Sequence, residues 1–502
     1  MRSSLRLVSL ALLSSACAPT PQATAAADMD GAEAGGAERQ ASSRWRYTIA
    51  LDESLSHMAL GLCIEGPPPR ALVAASGSAA QLESARVRGG PALARSGERL
   101  LIQDLGAQGC VDLEIDLEAA VDAGGRQAQR SEQALMLSPS QWLWHPAQVP
   151  DVLDAQARFE LPEGVHATLP WPRVPESEAP GSEVGSPGWL RLERSAFVWG
   201  AWAAFGRYEP LRFEAAQAHF EVAVLDEDHR ASRADIERWI TVAAESVATL
   251  YGRFPRDEVS VVVVPASGWG KDPVLFGMAR RGGGASALLL LDRDAAGEAL
   301  PGEWVAVHEH LHFTMPLVDE PWMAEGFVTY YTPLLRARRG VLGYGGAPGR
   351  GEDPEARQLR LAHDILVGGF RKASGRRGGR NLGEASENMR RSAAYRRVYW
   401  GGAALACDLD LRLRRAAHGE RSLDDLMISM NASSTTTKRW SAAALFEGFD
   451  QEIARWFEAG ELDELISATA VMNEHLEAES IPEHILALEL EDLRPLVDLP
   501  SR

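Results

Sequence analysis

The 502-residue chain has no surplus of positive charge: its formal net charge is −19, and this disfavours nucleic acid or an anionic membrane surface as a partner, since both call for basic patches. Basic residues do cluster at Arg371 to Arg380 and at Arg390 to Arg397, and these read as lining a loop near a functional site. Apolar runs long enough to cross a bilayer are also lacking. Leu5 to Leu13 is too short, and Leu288 to Leu291 reads as a strand. Cysteine is scarce, at four residues, and no C-x-x-C pair is present, which argues against a thiolate metal site. No internal repeat is visible.

What is there begins with an export signal. Arg2 and Arg6 supply positive charge ahead of the apolar run, and Ser14-Ser15-Ala16-Cys17 is similar to a bacterial lipobox in which Cys17 would carry the lipid. Ordinary cleavage after Ala25-Ala26-Ala27 is the competing reading. Residues 1–27 are thus a signal segment, and 28–43, poor in residues that could bury, a tether. The location implied is the bacterial periplasm or cell surface, with membrane contact only through Cys17. In that oxidising setting Cys63 and Cys110 would either pair or stay two separate buried thiols.

A hydrophobic content of 45% supports two or three domains with cores. From 44 to 208 the pattern favours strands: Arg46 to Leu51, Cys110 to Ile115 and Phe159 to Leu161 alternate between Gly/Pro turns, as in an antiparallel β-sandwich. Within it, the aromatic stretch Ser138 to Trp144 reads as packing against the next domain, with a ligand platform as the other reading. Ser232 and Asp235 mark a capped helix with Ile236, Trp239, Ile240, Ala243 and Val247 on its buried face and Gly252 at its end. Val259 to Val264 and Ser286 to Leu291 are buried strands. Residues 336–395 form a long Arg/Gly-rich excursion with a helix near Leu359 to Leu366, a length that often covers an active site. From 441 to 502 the chain reads as helical, at Ile453 to Phe457 and Leu462 to Ile466.

The chemistry-bearing stretch runs from His308 to Phe327. His308-Glu309-His310-Leu311-His312 fits H-E-x-x-H: on a helix, positions i and i+4 share a face, so His308 and His312 can present two imidazoles to one zinc ion. Glu309 sits beside them, placed to act as a base. A catalytic zinc takes three protein ligands, and Glu325, on a helix starting near Trp322 after Pro316 and Pro321, is the candidate third. His310 points off this face and reads as surface or outer support, and Thr329, one turn after Glu325, as a residue that orients a ligand.

H-E-x-x-H followed by Trp322-Met323-Ala324-Glu325-Gly326-Phe327 resembles the gluzincin peptidases, the clan of thermolysin and aminopeptidase N. Val398-Tyr399-Trp400-Gly401-Gly402 is similar to their Y-x-K-G motif, and Gly379 to Ser386 and Asp408 to Leu426 resemble the flanking segments of the glycyl aminopeptidases. The resemblance implies an α+β multidomain protein: the antiparallel β-sandwich, a thermolysin-like mixed α/β catalytic domain over 209–440, and a helical C-terminal part. It implies one Zn2+ per chain on His308, His312 and Glu325, with Glu309 as general base and Tyr399 as oxyanion donor. The partner implied is a peptide or protein substrate, cleaved aminopeptidase-like.

Three positions depart from the pattern. The twelve residues 313 to 324 are a short link between the metal ligands. Gly401 stands where the Lys of Y-x-K-G would be. The strand that in aminopeptidase N carries an amine-gripping Glu corresponds to Gly282 to Ala287, which has no acid. The alternative function is a catalytically silent lipoprotein of the same fold that binds a peptide or partner.

Overall fold

A computed structural model describes residues 43–102, 105, 108–175, 188–267, 272–344, 352–374, 381–433 and 439–498; the signal and tether readings, Cys17 included, fall outside them. Strand β1 (Ser43–Leu51) buries every second side chain, Trp45, Tyr47, Ile49 and Leu51, as a period of two requires on a sheet with one face inward. It lies inside a six-stranded sheet with β2 (His57–Glu65), β3 (Leu82–Val87), β4 (Gln108–Asp116), β5 (Leu153–Glu160) and β6 (Leu190–Leu192), ordered β6-β5-β1-β2-β4-β3. In the β2–β4 pair Cys63 stands opposite Cys110, and the two are disulfide-bonded. One pair is not antiparallel: β1 runs parallel to β5, with Trp45 opposite Ala155. Those strands are joined by a long crossover, which is what a parallel pair requires.

Two four-stranded sheets complete this half. Its core holds Trp142 and Trp144, both fully buried. Trp142 meets Phe159, Trp171 and Phe205 edge-on at centroid distances of 6.2, 5.9 and 5.9 Å. The aromatic stretch therefore fills the N-terminal half's own interior, neither facing the next unit nor open to a ligand.

The second half is built on a five-stranded sheet of β7 (Leu211–Ala215), β8 (Ala218–Val224), β9 (Glu258–Ala266), β10 (Val274–Arg280) and β11 (Ala285–Asp292), ordered β7-β8-β9-β11-β10. The inner strands β8, β9 and β11 are parallel and the two edges antiparallel. Being covered on both faces, β9 is apolar without a break from Val261 to Ala266. One face takes helix α1 (Arg233–Tyr251), whose Ser232–Asp235 capping box and left-handed Gly252 (φ 77°) set its ends as the sequence indicates. The other face meets the N-terminal half along a seam where Met136, Trp202 and Ala204 pack on Val262 and Leu288. Edge strand β10, partly exposed and without clean alternation, has no counterpart in the sequence reading.

Helices α2 (Val305–His312), α3 (Pro321–Arg338), α4 (Pro354–Ser374), α5 (Tyr395–Ala416), α6 (Ala442–Glu458) and α7 (Ala468–Glu477) follow. Most of the described part of 336–395 is helical, and α4 buries Leu359, Leu366 and Phe370 against α3 and α5 as part of the core. Two arginines of the basic clusters serve the C-terminal helices: Arg371 of α4 donates to the Leu486 carbonyl (3.1 Å) and Arg397 of α5 to that of Ala478 (2.9 Å), at helix ends where cations are favoured. For these two arginines the expected loop-lining role is replaced by this one; residues 375–380 lie outside the described set. Leu462 to Ile466 is not helical, because Ser467 caps α7 only after it; Leu462 and Ile466 plug the core from an irregular connection. Among the described residues no helix is long and apolar enough to cross a membrane.

Candidate metal centre

Helix α2 is anchored at its start by a buried carboxylate. Glu303 accepts hydrogen bonds from the Val305 and Ala306 amides (2.5 and 2.8 Å), groups that no helix turn can satisfy, and from the Trp239 indole of α1 (2.5 Å). So fixed, α2 presents His308 and His312 on one face with ring centroids 5.0 Å apart. The link to α3 is short, and Pro321 occupies the first position of α3, where its missing N–H costs nothing. One turn later Glu325 places Oε2 at 3.5 Å from His308 Nε2 and 3.6 Å from His312 Nε2.

These three residues offer one donor atom each, all within 4.8 Å of one another, and form the one such group found among the described residues. Both Glu325 oxygens and His312 Nε2 are buried without a hydrogen-bond partner. Buried polar atoms are rarely left so, and a tetrahedral zinc with two imidazoles and a carboxylate would satisfy all of them. Burial opposes ionisation of Glu325, but His312 and His308 outweigh it and hold its carboxyl below the ordinary range. Burial likewise opposes protonation of His312, and the facing Glu325 reverses the sign.

Beyond the ligands, the Thr332 hydroxyl donates to the Val328 carbonyl (2.7 Å) and lies 3.4 Å from His308 Nδ1. With its proton already committed, that oxygen can only accept from His308, which assigns the imidazole proton to Nδ1 and leaves Nε2 for the metal. Thr332 thus orients His308, a role the sequence reading did not assign. His310 is neither surface nor outer support: fully buried among Phe220, Phe254 and Phe313, it holds the Ala306 carbonyl through Nδ1, and burial pushes its pKa down to about 4.

Glu309 lies under β10. Its Oε2 accepts from the Ala279 amide (2.8 Å), and a Cβ at Gly277 would come within 2.5 Å of its Cγ, so the strand can pass only with glycine there. The strand facing the base is therefore Val274–Arg280, not Gly282 to Ala287. Gly282, Gly283 and Gly284 are instead wedged under the N-terminal half: added Cβ atoms would sit 2.3 Å from the Trp199 carbonyl oxygen, 2.5 Å from Trp171 and 1.7 Å from the Pro170 carbonyl oxygen. No acid fits at those positions, and β10 carries none.

Tyr399 is half-buried near the start of α5. One turn on, Gly402 makes the contact that sets its position: α5 crosses α3 so closely that a Cβ there would lie 1.8 Å from the Trp322 carbonyl oxygen, and one on Gly326 2.5 Å from the Gly402 Cα. Glu325 precedes Gly326, so this crossing fixes the offset between Glu325 and Tyr399. The neighbouring departure also has a steric cause, because a Cβ on Gly401 would meet Leu382 at 2.8 Å.

No family model and no curated protein matches the chain. Solved structures do. The chain is similar to an aminopeptidase N family protein from Idiomarina loihiensis, with a TM-score of 0.60 at 16% identity, covering 86% of this chain and 78% of that one. An M1 zinc metallopeptidase from Deinococcus radiodurans aligns at a TM-score of 0.48 and 14% identity, over 88% and 94%. The chain thus shares the multidomain α+β fold of the Idiomarina protein.

Proposed function

We propose that the protein is an exported zinc-dependent metallopeptidase, with His308, His312 and Glu325 holding one Zn2+ and Glu309 as general base. The observation that carries the reading is the pairing of a buried, unsatisfied two-histidine, one-carboxylate set with a second carboxylate fixed beside it by a strand amide. When bound, zinc would supply Lewis acidity toward a water and a peptide carbonyl. Glu309 takes the proton of the attacking water and delivers it to the leaving nitrogen. The Ala279 amide fixes one oxygen of that carboxylate, and with it the plane in which the proton moves. Edge strand β10 offers an extended peptide a partner for main-chain hydrogen bonds. Tyr399 donates to the developing oxyanion, a contact whose loss typically costs on the order of 100- to 1000-fold in rate.

The test is incubation of the zinc-loaded protein with a mixed peptide library, with cuts mapped by mass spectrometry and Glu309→Gln as control. Cuts that vanish in the variant, while its zinc content stays, support the mechanism. Full activity in Glu309→Gln refutes it, and no cuts by a zinc-loaded protein favours the silent binding role. Export belongs to the same reading, and the mass of the mature N-terminus separates lipidation at Cys17 from cleavage after Ala27.

A further inference from the structure

Helix α2 and edge strand β10 advance side by side. A Cβ on Gly277 would meet both Val305 (2.6 Å) and Glu309 (2.5 Å), and the Ala279 amide reaches Glu309 (2.8 Å). Beyond that point the two elements leave in different directions. The chain leaves β10 by docking on the N-terminal half: the Gly282 amide donates to the Gly200 carbonyl (3.0 Å), with the Trp199 carbonyl close above. It leaves α2 after His312 and runs through a short strand, β12 (Leu317–Val318), to Asp319. Strand β12 pairs in parallel with β13 (Arg439–Trp440), which sets Leu317 opposite Arg439. One side chain then joins the two exits. The Arg439 guanidinium lies 4.6 Å from the Trp199 ring centroid and 2.8 Å from Asp319 Oδ1. The next residue, Glu320, accepts from the Ala442 amide (3.1 Å) at the start of α6, so the link that carries Asp319 is held from a second side. Stability does not explain the contact, because the Arg439 and Asp319 side chains are 44% and 51% exposed, and a pair so exposed contributes little.

We propose that Trp199, Arg439 and Asp319 form an end-stop, a bridge from the exit of β10 to the exit of α2 that blocks a peptide laid along β10. The inference rests on the peptidase reading for its substrate, but its test does not depend on turnover. Ala279, beside the base, and Gly282, against the N-terminal half, are three residues apart. That is at most roughly 10 Å of chain, so a peptide alongside has room for about three residues between Glu309 and the bridge. The substrates are therefore peptide chain ends, shortened by up to about three residues at a time. A chain that overruns the stop must clash or bend away, at a cost of about 10- to 100-fold in affinity.

The test is binding to the full-length, zinc-loaded Glu309→Gln protein, read by fluorescence anisotropy. The probes are mixed-sequence hexapeptide pools labelled on a central lysine, either as they are or lengthened by a run of glycines at one end or the other. The expected result is that lengthening one end weakens binding by about 10- to 100-fold while lengthening the other changes nothing. The end that is penalised identifies the terminus the groove receives. Adding Arg439→Ala or Trp199→Ala should remove the penalty. Arg439→Lys, which can keep the ion pair but not the planar stack, should leave part of it, with melting curves showing each variant folded. No binding of any pool, equal binding of all pools, or a penalty that survives in folded Arg439→Ala overturns the end-stop. Cleavage by the wild type deep inside long peptides, with no length penalty, removes the end-stop and leaves the peptidase. End-selective binding with no cleavage by the wild type leaves the end-stop standing and removes the peptidase.

Discussion

Gly402→Ala is expected to damage both stability and rate through one contact. The added Cβ would lie 1.8 Å from the Trp322 carbonyl oxygen, whereas ordinary contact begins near 3.4 Å, so the helices must separate by roughly 1.6 Å or tilt. Both partners are backbone, and no rotamer change relieves them. Alanine is intrinsically the better helix former by about 1 kcal/mol, while overpacking of this severity costs about 3 kcal/mol, leaving a net loss of about 2 kcal/mol. Gly368, inside α4 with nothing within 4 Å of its built Cβ, is the control: Gly368→Ala should gain about 0.5–1 kcal/mol. Because Tyr399 is one turn from the crossing and Glu325 adjacent to it, a shift of about 1 Å should also cost on the order of 100-fold in kcat, with zinc retained. Urea denaturation, zinc content and peptide turnover of both variants check this. If Gly402→Ala is as stable and active as Gly368→Ala, the close crossing does not set the site.

Glu325→Ala removes the only carboxylate of the ligand set, and metal analysis after dialysis should find the protein largely free of zinc. Thr332→Val takes away the acceptor for His308 Nδ1 and should weaken zinc by about 10- to 100-fold in a chelator competition, with turnover restored at saturating zinc. Asp408 is paired with His475 (2.9 Å) and with both arms of Arg412 (3.0 and 2.9 Å); burial opposes its ionisation, but these partners hold its carboxyl well below the ordinary range. Its contribution to stability is therefore complete above the unfolded value of about 4 and lost as pH falls toward the folded one. Asp408→Asn should flatten that acid limb in pH-dependent melts and loosen α7 to proteolysis.

The legible parts of the sequence were those where one physical rule acts alone. His308 and His312 follow from helical spacing, Glu325 from the need of a zinc for a third ligand, and α1 from its capping pair and apolar stripe. The match of Gly282 to Ala287 to the strand beside the base rests on resemblance alone; the glycines' own reason is the carbonyls of Pro170 and Trp199, distant in sequence. His310 was misplaced for a related cause: its helical phase is off the ligand face, but a second core of phenylalanines waits on that side. Thr332 sits on a different helix from His308, and only the packing of α2 on α3 brings its hydroxyl to Nδ1. The parallel β1–β5 pair depends on where the chain returns after a hundred residues, which local alternation does not encode.

The glycine wedge under the N-terminal half bears on how such a molecule can be inherited and engineered. The half that carries the candidate metal centre docks partly through its own backbone, carbonyl against glycine, and at those positions no side chain can be introduced. The N-terminal half is then a structural wall for the other half, not cargo attached to it. Swapping it for another module should cost the shape of the β10 turn, and truncation should strand the Trp202–Val262 seam in water. Engineering of this scaffold should accordingly be tolerated best at rims and helices away from the joint.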